Sequence, residues 1–321
     1  AKKASHRIEH LSSRPVMKRV EFGICGLDTT ISPKDLTSLF QVPPGCCVEP
    51  IAAFQLAYQG YPWKPAKGYE KDSDTTHRRY PHGETYPAWF EIDQIAEALG
   101  KGTKLSFHLN ETEEYRYVSG LLQGEEDVLQ LIQFLCEDLK ARHIPVNVSA
   151  RGVKPELFMA SEYWESSALQ ILRLAEKYPE TLFIIPVFER GEISSLAFVL
   201  KIMELAVKMW GKEPLNVLAF FDNSGGEGKV PEKVAELPVE YPRHKGHPVG
   251  FTGGLRAGNV KEWLSRYSEK ATDVGCWLVS DAQSGFRKNG SRGEPIDVEQ
   301  LKMLMKEVFE WGSSGSSGSL G

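Results

Sequence analysis

Leu218-Ala-Phe-Phe-Asp-Asn-Ser-Gly-Gly-Glu-Gly-Lys229 is the stretch on which the reading of this chain turns. Its apolar residues run on without alternation, stop at Asp222 and give way at once to a glycine-rich loop. A continuous apolar run fits a strand buried on both faces, as in a parallel sheet. Asp222 then stands at the carboxyl end of that strand, at the mouth of a site. Gly225, Gly226 and Gly228 let backbone approach a ligand closely. An exposed acid in a turn would look the same. Two similar junctions downstream favour the site: Thr252-Gly253-Gly254, and Ser280 to Gly285.

Working outward, the chain alternates strand and helix. Strands are expected at 20–26, 48–58, 104–109, 144–148, 182–188, 215–222, 249–252 and 274–280. Helices are expected from Ser32-Pro33, where a capping serine precedes proline in the first turn, and at 89–99, 125–142, 166–177, 194–209, 259–267 and 297–309. A weak helix is expected at 231–236. Alternation of this kind implies βαβ units and a parallel sheet. Eight units predict an α/β fold, a single-domain (β/α)8 or TIM barrel over residues 18–311. An open doubly wound sheet is the alternative. Residues 1–17 are polar and are expected to form a frayed, flexible N-terminus. Residues 59–88, rich in aromatics and charge, form a long insertion after the second strand. Residues 312–321, mostly Gly and Ser, form a flexible tail.

Bulk properties narrow the function. The chain has 321 residues, 41% hydrophobic and 25% charged, with a formal net charge of -5 and no strong basic run. Nucleic acid is therefore not the expected partner. No apolar stretch approaches the roughly 20 residues of a membrane span, so a cytoplasmic protein is expected. Five cysteines, Cys25, Cys46, Cys47, Cys136 and Cys276, show no metal spacing and read as free thiols. His77, His82, His244 and His247 lack partners at ligand spacing, and no metal is expected.

A barrel gathers the carboxyl ends of its strands around one site. Cys25 ends the first strand and Asp222 the sixth. A thiolate and a carboxyl on opposite sides of a small substrate can serve as base and acid. His108 lies on a strand face and reads as a hydrogen-bonded core residue. The loops after strands seven and eight, with the N-terminus of a nearby helix, are a recurring phosphate cradle. Gly253 and Gly254 in one, and Ser284 and Gly285 in the other, are the expected phosphate-binding residues. Two tight turns are the plainer account of the same glycines.

With strands and loops placed, the sequence resembles the phosphoribosylanthranilate isomerase family. The residues that carry the resemblance are Ile24-Cys25-Gly26, Arg79-Tyr80-Pro81, Phe221 to Lys229, Phe251 to Val260 and Val279 to Phe286. The resemblance implies an Amadori rearrangement of an N-phosphoribosyl arylamine, as in tryptophan biosynthesis, without a cofactor. It makes Asp222 the general acid on the ring oxygen and Cys25 the general base at C2′. Arg79 would engage a substrate carboxylate, Gly225 and Gly226 would line the substrate, and the four phosphate-loop residues would keep that role. Three features depart from the family pattern. Gly23 stands where the family has lysine, Val146-Asn-Val-Ser-Ala150 replaces a Gln-Leu-His-Gly motif, and the second loop is long.

The expected function is therefore isomerisation of a phosphorylated sugar amine. Two alternatives stay open: a phosphosugar lyase, aldolase-type enzyme or hydrolase on the same barrel, and a non-catalytic phosphate-ligand-binding barrel. The expected partner is a small phosphorylated substrate.

Overall fold

A computed structural model describes residues 19–57, 78–79, 85–112, 115–150, 152–190, 193–222, 228–238, 246–290 and 294–314. Eight parallel strands close into a ring. They are β1 (Val20–Cys25), β2 (Val48–Leu56), β3 (Lys104–Leu109), β4 (Ala141–Pro145), β5 (Leu182–Val187), β6 (Val217–Asp222), β7 (Pro248–Thr252) and β8 (Trp277–Ala282). Each pairs with its sequence neighbours, and β1 also pairs with β8, Val20 opposite Leu278 and Gly23 opposite Asp281. The chain is a (β/α)8 TIM barrel, as the alternation predicts.

The helices are α1 (Pro33–Leu39), α2 (Trp89–Leu99), α3 (Tyr117–Gln123), α4 (Glu126–Glu137), α5 (Trp164–Lys177), α6 (Leu196–Trp210), α7 (Val260–Asp273) and α8 (Val298–Ser314). The start of α1 follows the capping rule. The Asp35 N–H donates to Ser32 Oγ at 3.1 Å, and Pro33 takes the first helical position, where no N–H is needed. On α4, Val128, Leu131, Ile132 and Leu135 form the buried stripe. Each such side chain contributes roughly 1.5–3 kcal/mol on burial. The main core is the layer between the ring and these helices.

Local readings differ at several places. β4 lies three residues before the expected 144–148, α7 runs six residues past Tyr267, and β8 starts at Trp277 rather than 274. The helix expected at 125–142 stops at Glu137, because Lys140 turns in the left-handed region (φ 54°) and Ala141 begins β4. Helical spacing in the sequence runs on through Leu139, beyond the true end. α3 was not expected: Tyr117 to Leu122 are all buried, so no amphipathic stripe marks it. Glu111 caps it, accepting the Ser119 N–H at 2.6 Å. Residues 231–236 form no helix. α8 runs to Ser314, three residues into the stretch read as a tail. Two short antiparallel ribbons, Arg78–Arg79 with Thr85–Tyr86 and Glu189–Arg190 with Ile193–Ser194, were also not anticipated.

The barrel interior is divided. Toward β5, β6 and β8 it is apolar, filled by Leu182, Ile184, Leu218, Phe220 and Val279. Gly250 lies opposite Phe220, and a Cβ there would run into the Phe220 ring. The missing side chain is the space the ring fills. Toward β1, β3 and β4 the base of the barrel is ionic. Glu21, fully buried, accepts from Arg142 (Nη2 at 2.8 Å) and meets His143 Nε2 at 2.6 Å. Arg19 and Lys104 approach the same carboxylate at 2.5 and 3.6 Å, and Trp277 lies under the Arg19 guanidinium at 4.7 Å. Burial alone works against a charge on Glu21. The hydrogen bonds and charges of His143 and Arg142 outweigh it and hold the carboxyl far below the usual range. All these residues lie toward the amino ends of their strands, the end that serves stability in such barrels.

Candidate active site

The carboxyl ends of the strands carry the chemistry. Cys25 closes β1 and is buried. Its Sγ lies 3.1 Å from Asp281 Oδ2, as donor, and 3.4 Å from His108 Nε2. Asp281 comes from β8, the ring neighbour of β1 on one side. His108 comes from β3, two places away on the other. The period of two within each strand turns all three side chains inward near the same height.

Gly23 makes this meeting possible. It stands one inward position below Cys25, opposite Asp281, and a Cβ on it would lie 3.0 Å from Asp281 Cβ. A longer side chain there would push Asp281 away from the thiol. The lysine of the family pattern and this placement of Asp281 therefore compete for one space.

Around this cluster the mouth is lined with amides and hydroxyls. Asn110 Nδ2 donates to Gln55 Oε1 at 2.7 Å, Asn147 Nδ2 to Asn110 Oδ1 at 2.9 Å, and Ser149 Oγ to Asn147 Oδ1 at 2.5 Å. Three successive strand ends are thereby tied side by side. Thr252 Oγ1 donates to the Asp281 carbonyl at 2.8 Å, fixing the end of β8 against β7. Asp222 ends β6, half-buried, beside Thr252. Tyr267 of α7 is buried beneath the same region, and its hydroxyl has no hydrogen-bond partner among the described residues. Burial, and then the charges of Asp222 and Asp281, push its phenol well above the ordinary value. Both carboxylates are thus felt at one side chain.

The loops read as a phosphate cradle come together. A Cβ on Gly228 would overlap Ser284 Oγ, one on Gly254 would lie 2.5 Å from Val230 N, and one on Gly285 would overlap the Leu255 carbonyl oxygen. The segments after β6, β7 and β8 are stacked on one another, and their glycines are where the close approaches fall. Gly253 and Gly254 turn with positive φ, 136° and 55°. Asn259, which precedes α7, clamps this turn: its Nδ2 donates to the Gly254 carbonyl at 3.1 Å, and its Oδ1 accepts the Arg256 N–H at 2.9 Å. Arg287, buried, donates Nη2 to the Gly26 carbonyl at 2.7 Å and so ties the loop after β8 to the end of β1.

Of the other expected residues, Arg79 lies in the first short ribbon, where only the backbone is described. Gly225 and Gly226 fall outside the described residues. In the sequence Asp281 stands within the strand-eight junction without a role of its own, and His108 reads as a core residue ahead of a general base. His108 is indeed hydrogen-bonded and only partly exposed, but its partner is the thiol at the mouth. Among the described residues, Cys25, His108 and Asp281 are also a group whose donor atoms could hold a metal, all within 4.8 Å of one another. The spacing argument against metal did not reach them, since His108 and Asp281 lie 83 and 256 residues from Cys25. A separate cavity of about 320 Å³ lies outside the ring between α3 and α5, lined by Leu122, Tyr163, Gln170 and Arg173 among others, and shares none of these groups. No helix among the described residues is long and apolar enough to cross a membrane.

No family model matches the chain, and no curated protein matches it. Solved structures of similar shape include PbGH5A, a glycoside hydrolase family 5 enzyme from Prevotella bryantii B14, at 10% identity over 94% of this chain and 96% of that one, with a TM-score of 0.48. An L-ribulose 3-epimerase matches at 12% identity over 94% and 96%, TM-score 0.46. Phosphoribosyl anthranilate isomerase from Thermococcus kodakaraensis matches at 13% identity over 91% and 98%, TM-score 0.35. Likenesses this distant carry no argument about activity, and the fold rests on the strand pairing itself.

Proposed function

We propose that this barrel is an isomerase that moves a proton within a small phosphorylated sugar, of the phosphosugar-amine kind, with Cys25 as general base and Asp222 as general acid. The observation that carries the reading is the thiol of Cys25 held between His108 and Asp281 at the mouth. In the resting state the thiol donates to Asp281 while the imidazole lies against the sulfur. Transfer of the thiol proton to the His108 imidazole leaves a thiolate–imidazolium pair, whose opposite charges favour the thiolate.

Asp222 gives its proton to the ring oxygen, and the C1–O bond opens. The nitrogen lone pair moves into the C1–N bond to form an iminium as the C1–O electrons leave on the ring oxygen. The Cys25 thiolate then takes the proton from C2, and the C2–H electrons form the enolamine. Tautomerisation returns a proton to C1 and yields the ketosamine, so atoms and charges balance within the substrate. Gly253, Gly254, Ser284 and Gly285 are the proposed phosphate contacts, near the N-terminus of α7, where the helix dipole favours an anion. Arg79, Gly225 and Gly226 are proposed to face the remainder of the substrate.

The test is turnover of a panel of phosphorylated aldosamines and aldoses, with deuterium uptake at C1 of the ketose product from D2O as the readout. Cys25→Ser and Asp222→Asn are each expected to lower turnover by about 10²-fold or more while still binding a phosphosugar. Full turnover in both variants would remove the assigned base and acid.

A further inference from the structure

Cys25 Sγ, a ring nitrogen of His108 and a carboxylate oxygen of Asp281 converge on one point from three strands of the barrel. A metal makes definite demands on such a group. Zinc takes thiolate at about 2.3 Å, imidazole at about 2.0–2.1 Å and carboxylate at about 2.0–2.2 Å, in a tetrahedron. Those lengths place the sulfur about 3.5 Å from both the nitrogen and the oxygen. Here Sγ lies 3.4 Å from His108 Nε2 and 3.1 Å from Asp281 Oδ2. A shift of a few tenths of an ångström on each side brings both edges to the tetrahedral value. The nitrogen and the carboxylate already lie within 4.8 Å, and side-chain rotation closes that gap.

We propose that Cys25, His108 and Asp281 form a zinc site with three protein ligands at the barrel mouth. The donor set selects the ion: thiolate and imidazole suit zinc and disfavour magnesium and calcium, which prefer oxygen. Three protein ligands is the number that a reactive rather than a structural zinc uses. Gly23, one inward position below Cys25, places no side chain against the cluster. The backbone that carries the ligands is also held in place before any ion arrives. Each stands on a barrel strand, the Asp281 carbonyl is fixed by Thr252, and the His108 carbonyl accepts Asn110 Nδ2 at 3.3 Å.

The site stands independently of the isomerase reading, but it bears on it. A thiolate bound to zinc has given its basicity to the metal. Zinc occupancy therefore excludes Cys25 as base, and zinc acts on that reaction as an inhibitor.

The test titrates Zn²⁺ into chelator-treated, reduced full-length protein by calorimetry, and Co²⁺ by absorption. One zinc per chain is expected, with proton release as the thiol ionises, and Co²⁺ should give a near-ultraviolet thiolate-to-cobalt band with four-coordinate visible bands. Cys25→Ser should abolish the thiolate band. His108→Ala and Asp281→Ala should each weaken zinc by about 10²-fold or more, with thermal melts confirming folding. The vicinal pair is the control: Cys46→Ser with Cys47→Ser should leave binding unchanged. A band that survives in Cys25→Ser and vanishes in the Cys46/Cys47 variant would overturn the site. So would zinc binding of equal strength in wild type and His108→Ala. If zinc binds as described and the metal-free protein turns over no phosphosugar, the isomerase reading falls and the site stands. Turnover by a protein that binds no zinc removes the site and leaves the isomerase reading in place.

Discussion

Glu21→Gln tests how the base of the barrel is held. Glutamine keeps the shape and removes the charge that Arg142, His143, Arg19 and Lys104 share. Not all four lose equally. Glu49 still pairs with Lys104 at 2.5 Å and reaches Arg19 at 3.8 Å, and the Arg19 side chain is 47% exposed. Arg142, with only 15% of its side chain exposed, pairs with Glu21 and with no other carboxylate among the described residues. Breaking one side of a buried pair costs about 3–5 kcal/mol, and the surviving contacts of Lys104 and Arg19 put the expectation at the low end, about 3 kcal/mol. Unfolding entropy near 2.1 cal/mol/K per residue over roughly 290 residues converts this to a fall in Tm of about 5 °C. Scanning calorimetry reads it directly. A double change, Glu21→Met with Arg142→Met, should cost at least about 1 kcal/mol less than the two single changes added together. A Glu21→Gln protein melting within about 1 °C of wild type, with additive double-mutant costs, would refute the claim that this carboxylate is the hub of the base.

The same carboxylate sets an acid limit. Its folded pKa lies below the unfolded value of about 4.5, so its contribution is complete above that pH and is lost as pH falls below it; wild type should lose Tm below pH 4.5 more steeply than Glu21→Gln, and parallel curves would count against it. A further prediction concerns sign. Glycine to alanine inside a helix ordinarily stabilises by up to about 1 kcal/mol, yet Gly312→Ala in α8 should destabilise by about 1–3 kcal/mol, because the added Cβ would lie 2.5 Å from Cys46 Sγ and 2.7 Å from Val48 Cγ2. Urea unfolding decides between the two, and a rise in midpoint would show that α8 is not pressed against β2 as described.

Alternation along the chain pointed to a barrel, and the pairing of β1 with β8 closes it. Uninterrupted apolar runs such as Val217 to Phe221 can be satisfied only between two covered faces, and eight strands separated by helices favour closure over an open doubly wound sheet. That is also why Cys25 and Asp222 could be placed at strand ends before any coordinates. Where burial was complete rather than one-sided, as in Tyr117 to Leu122, no stripe existed to read and α3 went unseen. The ionic base was equally hidden, because Glu21, Arg142 and Lys104 look like ordinary solvated charges until the ring closes. The grouping of Cys25 with His108 and Asp281 is a tertiary fact of the same kind. Strand order brings β3, β1 and β8 together, pleat turns the three side chains inward, and an absent side chain at Gly23 leaves Asp281 room to reach the sulfur. Sequence spacing records none of these, since it measures distance along the chain and the site depends on distance across the ring.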